Sequence, residues 1–183
     1  MSNRNLFNAP KTNQTQFFWL WVIPQRQASE GTDIMAELSM REFKKIVRQT
    51  METLPEDLRP YLDNLVVDVA DEPDHDLLLA AGLTEEEIKA GESLLGLFEP
   101  VELGGMMTDG LLESELQHRL WIFKKPHEEE FKDPVQLRTE VRKTVIHELA
   151  HHFGWSDRDL ERFDATPDPF ADGNTFPPRT GLD

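Results

Sequence analysis

Three residues in one short stretch have the types and spacing to do chemistry. In "TVIHELAHHFGWSDRDLERF", residues 144–163, His147 and His151 stand four apart with Glu148 directly after the first. On a helix, positions four apart share a face, so two imidazoles one turn apart can reach a single ion. Glu148 stands beside that pair, where a carboxylate can accept a proton from water without itself binding the ion. His152, the third histidine of the cluster, falls toward the apolar ridge of Val141, Val145, Leu149 and Phe153. It reads as a packing residue whose ring nitrogen is satisfied by a carbonyl or carboxylate.

A bare H-E-x-x-H also arises in ordinary amphipathic helices with a histidine-rich polar face. The residues C-terminal to the motif argue for a site. Gly154 stands three residues after His151, where a helix can end in a left-handed turn that glycine adopts at little cost. The turn swings the chain back, and Asp157 arrives at the sixth position after His151 to supply an oxygen ligand. Two imidazoles and a carboxylate leave the fourth position of zinc open, the pattern of a catalytic centre. Asp157 has a second reading: "SDRD" can open a helix with Ser156 as N-cap and Asp157 and Asp159 in its first turn. Glu161, one turn further on, is then the substitute ligand.

The string "HELAHHFGWSD" fits H-E-x-x-H-x-x-G-x-x-D, and with its flanks resembles the small bacterial family of zincin-like metallopeptidases. The resemblance covers about residues 38–163, including "NLVVDVADEP" and "LLGLF". It implies a minimal zincin fold, a small mixed β-sheet packed by helices with the site in a cleft beneath an edge strand. It also implies Zn2+ as the cofactor, with His147, His151 and Asp157 as ligands, Glu148 as general base, and a peptide or protein as substrate. Larger relatives carry a third histidine and a methionine turn. This chain has Asp157 in that place and no methionine after Met107.

The elements that must position these residues can be read around them. "SMRE" is a capping box on Ser39 and Glu42, followed by Phe43, Ile46, Val47 and Met51 at helical spacing. "NLVVDVAD", "LLGLFEPV" and "HRLWIFKKP" read as strands, the last ended by Pro126. "DEPDHD" reads as a solvated acidic turn rather than a cation loop, Thr84 caps a short acidic helix, and "HEEE" at 127–130 reads as a solvated connection. A helix is expected over about 136–153 and another after Ser156. Helices and strands in this order give an α+β class. The domain is expected over 35–165, with residues 1–34 as an extension and 166–183 as a Pro- and Gly-rich tail. Within the extension, "FFWLWVI" (residues 17–23) is expected to dock as a strand or aromatic clamp.

Composition narrows the partners. The chain has 183 residues and a formal charge of -16, with no compensating basic stripe, which argues against nucleic acid and anionic membrane surfaces. It has no cysteine, which excludes thiolate zinc sites and a cysteine nucleophile. The longest early apolar run has seven residues, too short to span a bilayer, and a cytoplasmic location is expected. His127, Tyr61 and Arg162 are candidates by type for stabilising an oxyanion. "LWIFKK" is the expected substrate-binding edge, or else an ordinary core strand. The competing functional reading is a non-catalytic metal-binding interaction module on the same scaffold.

Overall fold

A computed structural model of the protein describes residues 22–23, 38–100 and 117–177. The first helix, α1 (Met40–Glu52), starts where expected. Ser39 Oγ accepts from the Glu42 amide and Glu42 reaches back to the Ser39 amide, closing the capping box. Its buried residues Phe43, Ile46, Val47 and Thr50 recur at helical spacing and form the stripe it presents to the core. A 3-10 turn over Glu56–Tyr61 leads to β2 (Leu65–Ala70). Two short helices follow, α2 (His75–Ala80) and α3 (Glu85–Lys89), capped by Asp74 and Thr84. The acidic turn therefore also starts a helix: Asp74 Oδ1 accepts from the Leu77 amide, and Glu72 pairs with Lys125 at 3.0 Å.

Strands β4 (Gly96–Glu99) and β5 (His118–Phe123) complete a three-stranded sheet in the order β2-β5-β4. β5 runs parallel to β2 and antiparallel to β4, so the sheet is mixed, as expected. Among the described residues β5 is its central strand and β4 an edge, which corrects the expectation that "LWIFKK" is the edge. Alternation along β5 explains its burial: Leu120 and Ile122 face one core and Phe123 the other. A separate antiparallel pair joins β1 (Val22–Ile23) to β3 (Ser93–Leu94). The rest of the aromatic run and the loop-like stretch 104–114 lie outside the described residues.

Pro126 does not end a strand at a loop. Residues Lys124–Glu130 form helix α4, with Pro126 in its first turn, where a missing N–H costs nothing. The stretch expected as a solvated connection thus begins with a fully buried His127. The long helix α5 (Pro134–His152) follows, capped by Asp133, and then α6 (Asp157–Ala165). α5 runs through the centre: Leu137, Val141, Val145, Ile146 and Leu149 meet Phe43, Ile46 and Val47 of α1 and Leu120 and Ile122 of β5 in one core. Beyond α6, residues 166–177 pack back on the domain. Phe170 is buried in the same core, and Arg142 lies 3.9 Å over its ring.

Candidate metal centre

The last two turns of α5 are buried, and this sets the geometry of the histidines. His147 is 3% exposed and Glu148 fully buried, with His151 partly covered. The Nε2 atoms of His147 and His151 approach to 2.9 Å. Their Nδ1 atoms are held elsewhere. His147 Nδ1 lies 3.1 Å from each carboxylate oxygen of Asp164, and His151 Nδ1 lies 2.9 Å from the Trp155 carbonyl. Because a carbonyl can only accept, His151 donates from Nδ1 and carries its lone pair on Nε2. The Asp164 carboxylate imposes the same tautomer on His147. Two nitrogen lone pairs thus converge on one point, an arrangement that suits a cation. A proton is a poor occupant: burial, then the positive charge of a protonated His147, pushes His151 down to about 4.

Local sequence explains both supports. α5 ends in a Schellman turn: Trp155 N–H donates to Ala150 O at 2.9 Å, and Gly154 N–H to His151 O at 2.9 Å. Gly154 sits at φ 82°, a conformation that L side chains resist. This turn aims the Trp155 carbonyl at His151. It also leads into α6, opened by Ser156, whose hydroxyl and amide both bond Asp159 Oδ2 at 2.6 and 2.9 Å. Leu160 and Phe163 bury the inner face of α6, and Asp164 follows on that face. Sequence reading missed Asp164. The available signal was an acid four residues after Leu160, sharing the apolar side of an amphipathic helix. Lys143 Nζ holds the Asp164 carbonyl at 2.8 Å and pairs with Glu140 at 3.2 Å, tying α6 to α5.

Glu148 points to the sheet. Its Oε2 accepts from the Phe98 amide of β4 at 3.0 Å. The approach is close because residue 96 is glycine: a Cβ there would meet Thr144 Cγ2 at 2.8 Å and Glu148 Cγ at 3.1 Å. Ser156 is an N-cap, as the second reading of "SDRD" had it, and Asp157 is the first residue of α6. The side chain of Asp157 lies outside the described residues. Among the described residues, no group of three or more His, Asp or Glu gathers as a metal site, so the pair of imidazoles is what the structure brings together. Glu161 is exposed.

The remaining candidates separate. His127 is fully buried, with Nδ1 2.6 Å from Phe123 O and Nε2 3.0 Å from Thr144 Oγ1. It is a structural histidine linking α4 to α5, and burial pushes it down to about 4. Its position removes it as an oxyanion donor. Arg162 is exposed and lines a cavity of about 310 Å³ with Asp159, Asp168 and Asp172. The side chain of Tyr61 lies outside the described residues. His152 packs among the rings of Phe98, His118 and Phe153, with centroids 5.0–5.2 Å away for all three. No helix among the described residues is long and apolar enough to cross a membrane.

The family profile of zincin-like metallopeptidases matches residues 62–166, from the turn before β2 through the end of α6. No curated protein matches the chain.

Proposed function

Because the chain belongs to the zincin-like metallopeptidase family, we propose that it is a zinc-dependent peptidase acting on a peptide or protein substrate. The observation that carries this reading is the convergence of His147 Nε2 and His151 Nε2 at 2.9 Å, beside a fully buried Glu148. In this reading His147 and His151 are ligands and Asp157 is the third. Its place at the start of α6, directly after the Schellman turn and Ser156, supports that assignment. Zinc held there would supply Lewis acidity toward a peptide carbonyl and acidify the attacking water.

The chain's own residues do the rest. Glu148 takes the proton of the attacking water, the peptide C–N bond breaks, and Glu148 delivers the proton to the leaving amine nitrogen. The Phe98 amide orients its carboxylate for this. Asp164 and the Trp155 carbonyl fix the tautomers of the two histidines so that their lone pairs stay on Nε2. The test is metal analysis of the full chain beside His147→Ala, then peptide-library hydrolysis beside Glu148→Gln. About one zinc per chain is expected, lost in His147→Ala, with hydrolysis abolished in Glu148→Gln while zinc stays. No metal in the parent chain after incubation with zinc would end the reading. Metal without Glu148-dependent hydrolysis would leave a metal-binding interaction module.

A further inference from the structure

Glu140, Lys143, His147 and His151 follow one another at spacings of three, four and four, so they fall on one side of α5. α6 meets that side at Asp164, which α5 grips twice. His147 Nδ1–H donates to its carboxylate, 3.1 Å from each oxygen, and Lys143 Nζ, one turn earlier, donates to its carbonyl at 2.8 Å. All the side chains involved are withdrawn from solvent: Lys143 is 5% exposed, Glu140 9%, His147 4% and Asp164 2%. The Asp164 carbonyl belongs to the last turn of α6, whose carbonyls have no amide ahead of them within the helix. Thr166 satisfies two of these, its Oγ1 donating to Arg162 O at 2.7 Å and its amide to Phe163 O at 3.2 Å. Lys143 satisfies the third from the neighbouring helix, at the end of α6 where the helix dipole favours a cation. Glu140, 3.2 Å from Lys143 Nζ, compensates the buried ammonium.

We propose that Lys143, held by Glu140, is a positioning residue for the metal centre: by fixing the main chain of Asp164 it sets the carboxylate that keeps the His147 lone pair on Nε2. The part concerning zinc rests on the peptidase reading; the part concerning the tautomer does not. A buried ion pair adds little stability over apolar residues of the same volume, so stability alone does not account for Lys143 and Glu140 beneath α6. What the pair adds is direction. Leu160 and Phe163 bury the inner face of α6, and such contact is non-directional, so it tolerates a small slide of one helix along the other. A bond to one particular carbonyl does not. The His147–Asp164 contacts at 3.1 Å already lie near the long end of the usual range of about 2.7–3.2 Å, so a slide of a few tenths of an ångström loses them. His147 then lacks the acceptor that fixes its tautomer, and a proton on Nε2 removes the lone pair that would bind an ion.

The test is a double-mutant cycle on the full chain. One arm is Glu140→Gln with Lys143→Met, which removes both charges together and leaves no buried charge unpaired. The other arm is Asp164→Ala. Two quantities are read: the tautomer of His147 in metal-free protein, from its imidazole 15N shifts, and zinc affinity, by competition with a chromophoric chelator. The Nδ1–H tautomer is expected in the parent chain and a mixture of tautomers in Glu140→Gln/Lys143→Met. Zinc affinity is expected to fall about five- to tenfold in that variant, and by less than about twofold further when the same pair is added to Asp164→Ala. A general loosening of the fold would lower affinity equally in both backgrounds, and that result overturns the proposal. Parent-like affinity and tautomer in Glu140→Gln/Lys143→Met overturn it too. Lys143→Gln, one bond shorter and uncharged, carries the same test, with the same outcomes expected, where the double variant does not fold. If no chain binds zinc, the peptidase reading falls and the tautomer alone decides: a mixture in the variant upholds the positioning role, and a retained Nδ1–H overturns it.

Discussion

His127 makes the chain's stability depend on pH in a calculable way. It is fully buried, both nitrogens are engaged, and burial pushes it down to about 4 from an ordinary value near 6.5. Above pH of about 6.5 it is neutral whether the chain is folded or not, and it adds no pH dependence. Between about 6.5 and about 4 the unfolded chain takes up a proton that the folded chain refuses, so stability falls as pH falls. At about 1.4 kcal/mol per pH unit the whole interval is worth about 3 kcal/mol, of which about 2 kcal/mol is lost by pH 5. The perturbation is His127→Gln, whose amide can still donate to Phe123 O and accept from Thr144 Oγ1 but does not titrate. Urea unfolding of both chains at pH 7.5, 6 and 5 gives the comparison. Other titrating groups are common to both and cancel in the difference. The parent chain is expected to lose about 2 kcal/mol more than His127→Gln between pH 7.5 and 5. Parallel profiles would mean that His127 takes up its proton as readily in the folded chain as in the unfolded one, and would refute the reasoning.

Two further outcomes concern the site. Gly96→Ala introduces a Cβ 2.8 Å from Thr144 Cγ2 and is expected to cost about 1–3 kcal/mol in thermal or urea unfolding. Thr144→Ser removes that methyl, so the double variant is expected to recover at least about 0.5 kcal/mol relative to additivity; strict additivity would show that the contact is not what excludes a side chain. Asp164→Ala strips His147 Nδ1 of its acceptor and is expected to weaken zinc binding about 10–100-fold, measured by competition with a chromophoric chelator. An affinity within about twofold of the parent would remove Asp164 from the site.

How much of the fold and site was legible in the sequence differs by element, for physical reasons. The capping box on Ser39, the N-cap at Thr84, the course of α5 and the left-handed turn at Gly154 are local features, decided within a few residues, and all four are as read. Helix α4 was not legible, because Lys124-Lys125-Pro126 looks the same whether proline ends a strand or stands in the first turn of a helix. Strand order was not legible either. β5 comes after β4 in the chain but takes the centre because β2 pairs parallel to its far side, a long-range choice that no local pattern encodes. Asp164 lies seventeen residues from His147 in the chain, and the two meet only after the turn at Gly154 is made.

The supports of the two histidines show why the motif is more than its three named residues. His151 is oriented by a backbone carbonyl, which any amino acid at 155 could provide, so what matters is the turn that aims it. That turn depends on glycine at 154. The same turn sets the start of α6, and the box between Ser156 and Asp159 fixes where its helical phase begins. The phase then decides that Asp164, rather than Glu161, faces α5 beside buried Leu160 and Phe163. On the other flank, Gly96 allows β4 close enough for the Phe98 amide to hold Glu148. Each side chain that could do chemistry is therefore set by a backbone feature outside the motif, and two of those features rest on glycine. An identical H-E-x-x-H on a helix without Gly96 and Gly154 would have the same donors and lack the geometry that brings them together.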